Sequence, residues 1–135
     1  MKYAIPPRVR LNTLTHTVIA SAMAVHTDLG PGLLERVYEI CLVYELQSRG
    51  LRVETQVPFP IRYGDVILDN DLRIDILVED LVIVEVKSIA KVLPVHHNQL
   101  ITYLRLTDRR VGLLLNFNVT SMRNGIVRKV NNAPT

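Results

Sequence analysis

Two acidic residues and a lysine stand on neighbouring predicted strands near the middle of the chain. Asp75 lies in a predicted strand over residues 66–78, and Glu85 and Lys87 lie in a largely apolar strand over 82–88. Buried charges are costly unless they are paired, solvated or bound to a metal. Two carboxylates suit Mg²⁺ or Mn²⁺, which stabilises charge on a phosphate, while a lysine orients the attacking water or the phosphate. The same residues would equally suit a structural ion pair at a sheet edge.

The register of a hairpin decides whether these three side chains meet. Glu85 and Lys87 are two residues apart, so on a strand both project from one face. A two-residue turn at Glu79 and Asp80 would set Asp75 opposite Val84, which faces the other way. A three-residue loop would set Asp75 opposite Glu85. The site hypothesis therefore predicts an odd loop or a bulge in this hairpin.

A polar stripe follows on a predicted helix over residues 94–106. Gln99 and Tyr103 are four residues apart and share a face with His96, beside the apolar Leu100 and Leu104. Such a stripe suits a helix that lines a cleft, although a Tyr half-buried at the rim of a core gives the same pattern. His96 and His97 point in different directions on a helix and cannot both ligate one metal there.

The segment Gly32-x-x-Glu35-x-x-Tyr38 opens another predicted helix, over residues 33–49. Glu35 and Tyr38 are three apart and are neighbours on the helix surface. Glu35 also suits the positive end of the helix dipole, and Gly32 suits a turn after Pro31. The apolar residues Leu34, Val37, Cys41 and Tyr44 are predicted to share one face, with Cys41 in the core.

The remaining elements follow from periodicity and turn residues. We predict helices over 13–29, 33–49 and 94–106 and strands over 52–63, 66–78, 82–88, 111–118 and 126–130. The first strand contains Pro58 and Pro60, which places it at an edge, whereas residues 82–88 are apolar on both faces and are central. The order α-α-β-β-β-α-β-β predicts an α/β fold with a mixed central sheet flanked by helices.

Length and composition favour one folded domain. The 135 residues are 48% apolar and 21% charged, as in globular proteins. We predict a loose arm over 1–12, the domain over 13–130 and a tail over 131–135. No apolar stretch is long enough for a membrane span, and the N-terminal residues do not resemble a secretory signal. The single Cys41 excludes an internal disulfide, so we expect a cytoplasmic protein.

Charge is unevenly distributed along the chain. Residues 53–85 carry eight acidic and two basic residues, a net charge of −6, and residues 86–135 carry eight basic residues and one acidic residue, a net charge of +7. This division is compatible with cation binding in one place and polyanion binding in another. By itself it equally describes an ordinary surface.

Together these segments resemble the GxxExxY family, whose name motif stands here as Gly32-Leu-Leu-Glu-Arg-Val-Tyr. Four further segments are similar and follow in a consistent order across residues 13–130. They are Arg73-Ile-Asp-Ile-Leu-Val, Val84-Glu-Val-Lys, Gln99-Leu-Ile-Thr-Tyr-Leu and Val111-Gly-Leu-Leu-Leu-Asn-Phe.

The GxxExxY family is assigned to the PD-(D/E)xK nuclease-like superfamily, which implies a restriction-endonuclease-like core. By this resemblance Asp75 and Glu85 would be metal-binding acids, Lys87 the catalytic lysine and Glu35 an additional acid from a helix. Gln99 and Tyr103 would match the Q-x-x-x-Y element of RecB-type nucleases, which helps to position water and DNA. The proline that often precedes the first acid is replaced by Ile74.

These features give three hypotheses. The first is a Mg²⁺- or Mn²⁺-dependent deoxyribonuclease that uses these residues. The second is a module of weak or no catalytic activity that binds nucleic acid or a protein partner through its basic half. The third is a structural protein in which Asp75, Glu85 and Lys87 only pair with one another. Ile19, Met23 and Ile40 could serve a homodimer or belong to the core. We expect DNA as the partner and no membrane.

Overall fold

The computed structural model describes residues 7–131, with side chains from Arg10 onward. Three helices and five strands follow in the predicted order. They are α1 (Pro7–Leu29), α2 (Glu35–Ser48), β1 (Val53–Tyr63), β2 (Val66–Val78), β3 (Val82–Lys87), α3 (Pro94–Leu106), β4 (Val111–Asn116) and β5 (Ile126–Val130), with a 3₁₀ turn at Met122–Gly125. The predicted α/β fold is therefore confirmed.

One five-stranded mixed sheet connects these elements, with strand order β1-β2-β3-β4-β5. Only β3 and β4 pair in parallel, and α3 makes the crossover between them. The strand with two prolines, β1, lies at an edge, because proline cannot donate to a ladder on both sides. The apolar β3 lies at the centre. Both placements agree with the sequence.

The helices cover both faces of the sheet. The larger apolar cluster lies beneath α1 and α2 and takes Val82, Val84 and Val86 from β3. The smaller cluster lies beneath α3, where Leu100 and Leu104 pack against Ile83 of the same strand. Because side chains alternate along a strand, Glu85 and Lys87 belong to the α3 side. The layers thus place the charged residues of β3 beneath α3.

The start of α1 differs from the prediction. The helix begins at Pro7, so residues 7–12 of the predicted loose arm are helical, and Leu11 is buried beside Leu14. Proline is tolerated in a first turn because its missing N–H has no partner there. Residues 1–6 and 132–135 lie outside the described part of the chain. Of the predicted tail, only Asn131 is described. Its backbone N–H donates to the Arg110 carbonyl at 2.7 Å.

The buried face of α2 also differs from the prediction. Tyr38, Leu42 and Leu46 are completely buried, whereas Leu34 and Tyr44 are exposed and Cys41 is only half-buried. Two apolar stripes run along α2, and periodicity alone did not identify the one that packs on the sheet. The stripe with Tyr38 packs in the larger apolar cluster, and the buried Tyr38 hydroxyl finds partners in the preceding loop, as described below.

The predicted homodimer would use apolar residues of α1 and α2. Ile40 is exposed, and Ile19 and Met23 of α1 are half-buried against the core. Homodimerisation through these residues stays a prediction. No helix among residues 7–131 is long and apolar enough to cross a membrane.

The close approach of Gly125 to β4 gives a test of the fold. A Cβ at Gly125 would overlap the backbone carbonyl oxygen of Asn116. We expect Gly125→Ala to lower the free energy of unfolding by about 3 kcal/mol, because backbone must shift to relieve the overlap. Urea denaturation measures the change. Asn124→Ala, an exposed neighbour in the same turn, is the control, and equal stability of the two variants would contradict the packing described here.

Candidate active site

The β2–β3 hairpin has the register that brings the acids together. Its loop is three residues long, Glu79 to Leu81, and β2 pairs with β3 from Val78 opposite Val82 to Ile76 opposite Val84. Glu79 and Asp80 both adopt the left-handed conformation, with φ of 53° and 57°. The predicted odd loop is confirmed. In this register Asp75 is the next residue of β2 and stands level with Glu85.

At Asp75 the two strands separate. The backbone ladder between β2 and β3 ends at Ile76. Beyond it the Asp75 carboxylate replaces a backbone acceptor, with Oδ2 accepting a hydrogen bond from the Val86 amide at 2.9 Å. The buried side of β2 changes at the same place. Ile76 and Val78 pack beneath α1 and α2, whereas Leu72 and Ile74 pack in the cluster beneath α3. The separation opens the sheet at the point where the acids stand.

Glu85 is buried beside Asp75. The residue is 5% exposed, and its Oε1 has no hydrogen-bond partner among the described residues. Burial raises the pKa of Glu85 to about 10, and the charge of Asp75 and a hydrogen bond between the two carboxyl groups act in the same direction. The positive charge of Lys87 opposes the rise only in part. In the protein as described, the pair therefore holds a proton at neutral pH.

Lys87 lies at the end of β3, where an open cleft begins. The cleft has a volume of about 530 Å³ and lies between Lys87 and the polar side of α3. Its helical lining consists of Val95, His96, Asn98, Gln99, Thr102 and Tyr103. The predicted stripe of α3 therefore does line a cleft, and Lys87, two residues after Glu85, lies at its other side.

Within that stripe, Gln99 and Tyr103 are linked directly. Gln99 Nε2 donates to the Tyr103 hydroxyl at 3.0 Å. The pKa of Tyr103 is raised by burial and by the negative charges of Glu85 and Asp75. The hydroxyl thus stays protonated near the acids and is available as a donor. His96 has a structural function, because its Nδ1 accepts the Leu93 amide at 2.8 Å and caps α3.

Helix α2 brings Glu35 towards the acidic pair from the other face of the sheet. The Tyr38 hydroxyl donates to the Gly30 carbonyl at 2.6 Å and accepts the Leu33 amide at 3.1 Å, and its ring stacks on Phe117 with centroids 4.6 Å apart. Gly32, at φ +97°, has a conformation that side chains with a Cβ rarely adopt. These contacts fix the loop that precedes the first turn of α2, where Glu35 lies.

A second contact ties this loop to the site. Ser88 Oγ, one residue after Lys87, donates to the Leu33 carbonyl at 2.6 Å. Burial raises the pKa of Glu35, the charge of Lys87 lowers it, and that of Asp75 raises it. Glu35 therefore lies within the electrostatic field of both Asp75 and Lys87.

Residues 12–129 match the PD-(D/E)XK nuclease superfamily over nearly the whole chain. The chain belongs to this superfamily. Searches of the curated proteins and of the solved structures found no match. The match does not distinguish the GxxExxY family from other members.

Members of the PD-(D/E)XK superfamily typically use a divalent metal, and the acidic pair partly fits one. The unpartnered Oε1 of Glu85 and the adjacent Asp75 carboxylate are oxygen ligands of the kind that Mg²⁺ and Mn²⁺ prefer. Over residues 10–131, however, no three His, Cys, Asp or Glu side chains are grouped closely enough to hold an ion. The structure thus brings Asp75 and Glu85 together, and the ligand role of Glu35 stays a prediction.

Three polar residues of the site escaped the sequence analysis. Glu39 follows Glu35 by one helical turn, a spacing that could have indicated it, and burial raises its pKa. Asn116 is buried at the end of β4, and its side chain both donates to and accepts from the backbone of Ile89, in the loop that leads to α3. Gln56 of β1 reaches Asp75 from an exposed strand, and nothing in its sequence context indicates this.

The buried carboxyl makes the stability of the metal-free protein depend on pH. The folded protein keeps the Glu85 proton up to about pH 10, whereas the unfolded chain releases it near pKa 4.5. Ionisation therefore opposes folding, and stability falls as pH rises between these values. At about pH 8 and in chelator, we expect Glu85→Gln to be more stable than the wild type, by on the order of 2–4 kcal/mol. The difference should vanish near pH 4.

Thermal unfolding at a series of pH values measures this difference. Glu54→Gln, which changes an exposed carboxylate of β1, is the matched control and should keep the wild-type pH dependence. Parallel curves for Glu85→Gln and the wild type would mean that Glu85 is ionised in the folded protein.

Proposed function

We propose that this chain hydrolyses phosphodiester bonds of DNA with the help of Mg²⁺ or Mn²⁺. The observation that carries the proposal is the buried Glu85 carboxyl beside Asp75, with Lys87 on the same strand face at the edge of an open cleft. Membership of the PD-(D/E)XK superfamily supports it. As a finer assignment, we propose the GxxExxY family, because Glu35 lies in the first turn of α2 and Gly32 and Tyr38 fix the loop that precedes it.

In this proposal the residues divide the work by their chemistry. Asp75 and Glu85 hold the cation, which when bound lowers the pKa of water and stabilises charge on the phosphate. Lys87 donates hydrogen bonds to a phosphate oxygen or to the attacking water. Glu35 is an additional acid on the opposite wall.

The wall formed by α3 has a positioning function in the proposal. Gln99 orients the Tyr103 hydroxyl, and both supply polar groups that face the cleft. Water and the DNA backbone are the species they would position. Neither residue needs to change its protonation state, since the raised pKa of Tyr103 keeps its hydroxyl neutral.

The distribution of charge supports a polyanionic substrate. Exposed basic residues occur throughout the second half of the chain, namely Lys91, Arg105, Arg110, Arg123 and Arg128. Cations on such a surface offset the repulsion between phosphates and the acidic pair. The proposal therefore assigns DNA contacts to this half of the chain.

The runner-up is a nuclease-fold module that binds nucleic acid or a protein partner without turnover. The observation that favours it is that the described residues assemble two acids and not three around the candidate cation position. Under this alternative the salt dependence of DNA binding is steep, but no cleavage depends on metal.

Cleavage assays separate the two functions. Single- and double-stranded DNA are incubated with the wild type and with Lys87→Ala in Mn²⁺. We expect metal-dependent cleavage by the wild type and a loss of at least about 100-fold for Lys87→Ala, as when a charge-stabilising donor is removed. Arg49→Ala, an exposed cation beside Glu45 at the far end of α2, should cleave normally. Equal cleavage by wild type and Lys87→Ala, or binding without cleavage, would contradict the proposal.

Calorimetric titration with Mn²⁺ tests the acidic pair independently of turnover. We expect one ion per chain, with affinity that is lost in Asp75→Asn and in Glu85→Gln. Because the pair holds a proton, binding should release protons, and the measured heat should depend on the ionisation enthalpy of the buffer. Unchanged affinity in both variants would place the ion elsewhere.

A further inference from the structure

Gln56 has a backbone conformation that its residue type does not explain. It lies in the middle of β1 with φ of 49°, in the left-handed region. Its neighbours Thr55 and Val57 pair normally with Ile76 and Ile74, so the register sets Gln56 opposite Asp75, although the two do not pair in the ladder. Glycine adopts this conformation without strain. If the chain needed only the kink, glycine would suit the position better.

The side chain of Gln56 gives a reason for its presence. Its Nε2 lies 3.1 and 3.2 Å from the two carboxylate oxygens of Glu39 and 3.5 Å from Asp75 Oδ1. Carboxylates only accept hydrogen bonds, whereas an amide nitrogen carries two hydrogens. One amide group can therefore donate to Glu39 on α2 and to Asp75 on β2 at the same time.

With this bridge, both carboxylate oxygens of Asp75 have a hydrogen-bond donor from the protein. Oδ2 is held by the Val86 amide, and Oδ1 faces Gln56. The backbone of Gln56 is held in turn, because Arg73 Nη1 donates to its carbonyl at 3.3 Å. Both carboxylate oxygens of Asp75 are thus oriented, one from β3 and one from β1.

The negative charges of Glu39 and Asp75 act on each other, as the pKa of Glu39 reflects. Two carboxylates on facing elements repel, and a shared donor offsets the repulsion. Without the Gln56 amide, we expect Asp75 to turn away from Glu39, and this rotation would change its direction relative to Glu85.

We propose that Gln56 is a positioning residue for the acidic pair. Its amide ties Asp75 to α2 and fixes the direction in which Asp75 faces the cation that it shares with Glu85. The inference rests on the proposed function, because it concerns the same cation site. It adds a residue from the edge strand β1 that touches neither the phosphate nor the attacking water.

Two substitutions separate the amide from the backbone kink. Gln56→Gly removes the side chain and relieves the conformation, and Gln56→Met keeps a side chain of similar length but removes the donor. Asp108→Gly is the matched control, since Asp108 is exposed, adopts φ of 54° at the end of α3 and has no contact with the site. Mn²⁺ affinity is measured by calorimetry on the full chain, and melting temperature is measured in chelator.

We expect Gln56→Gly to melt at or above the wild-type temperature and yet to bind Mn²⁺ roughly tenfold more weakly, as when a partner of a metal ligand is removed. Gln56→Met should lose the same affinity, and Asp108→Gly should keep it. A purely structural role cannot combine undiminished stability with weaker metal binding.

Wild-type affinity in a folded Gln56→Gly or in Gln56→Met would overturn the inference while leaving the proposed function intact. Absence of Mn²⁺ binding by the wild type would overturn the proposed function, and the inference with it. Cleavage kinetics add a further distinction where turnover is measurable. A positioning role predicts a lower kcat at unchanged KM for DNA, whereas a DNA-contacting role predicts a higher KM, which would also overturn the inference.

Discussion

Burying the Glu85 carboxyl in the centre of a sheet is the constraint on which the site depends. A carboxylate in that position is costly unless a proton or a cation neutralises it. The protein supplies only part of the neutralisation, through Lys87, and leaves Oε1 without a partner among the described residues. A core built for stability alone would have an apolar residue there. A bound ligand would supply the missing partner for Oε1, in keeping with the superfamily to which the chain belongs.

The rest of the fold holds other groups around that carboxyl. The separation of β2 from β3 at Asp75 admits a second carboxylate to the level of Glu85. The loop fixed by Tyr38 brings the first turn of α2 to one side, and the loop fixed by Asn116 leads to α3 on the other. Each of these anchors is a buried polar side chain that bonds to backbone. Hydrogen bonds thus hold the elements on both sides of the acids.

Much of this arrangement could be predicted from the sequence. The element order and the central position of β3 followed from periodicity and from the apolar character of its two faces. The convergence of Asp75 and Glu85 was predicted on the condition of an odd hairpin loop, and the structure has that loop. These properties are local or depend on the period of a strand, and so they can be predicted from one sequence.

Other features depend on tertiary contacts and could not be predicted. Helix α2 carries two apolar stripes. The stripe that packs on the sheet includes Tyr38, whose hydroxyl bonds to the backbone of Gly30 and Leu33 in the preceding loop. The early start of α1 depends on Leu11 finding the core. The part played by Gln56 depends on a backbone conformation unusual for its residue type and on a carboxylate 17 positions away along the chain.

The parallel pairing of β3 with β4 has a consequence for synthesis of the chain. Glu85 and Lys87 are made before α3, but the strand that flanks them ends only at Asn116. Until that segment has left the ribosome, β3 has an open edge and the Glu85 carboxyl has water around it. Chains that stop within α3 thus lack β4, and the surroundings of the acidic pair are complete only after β4 has been made.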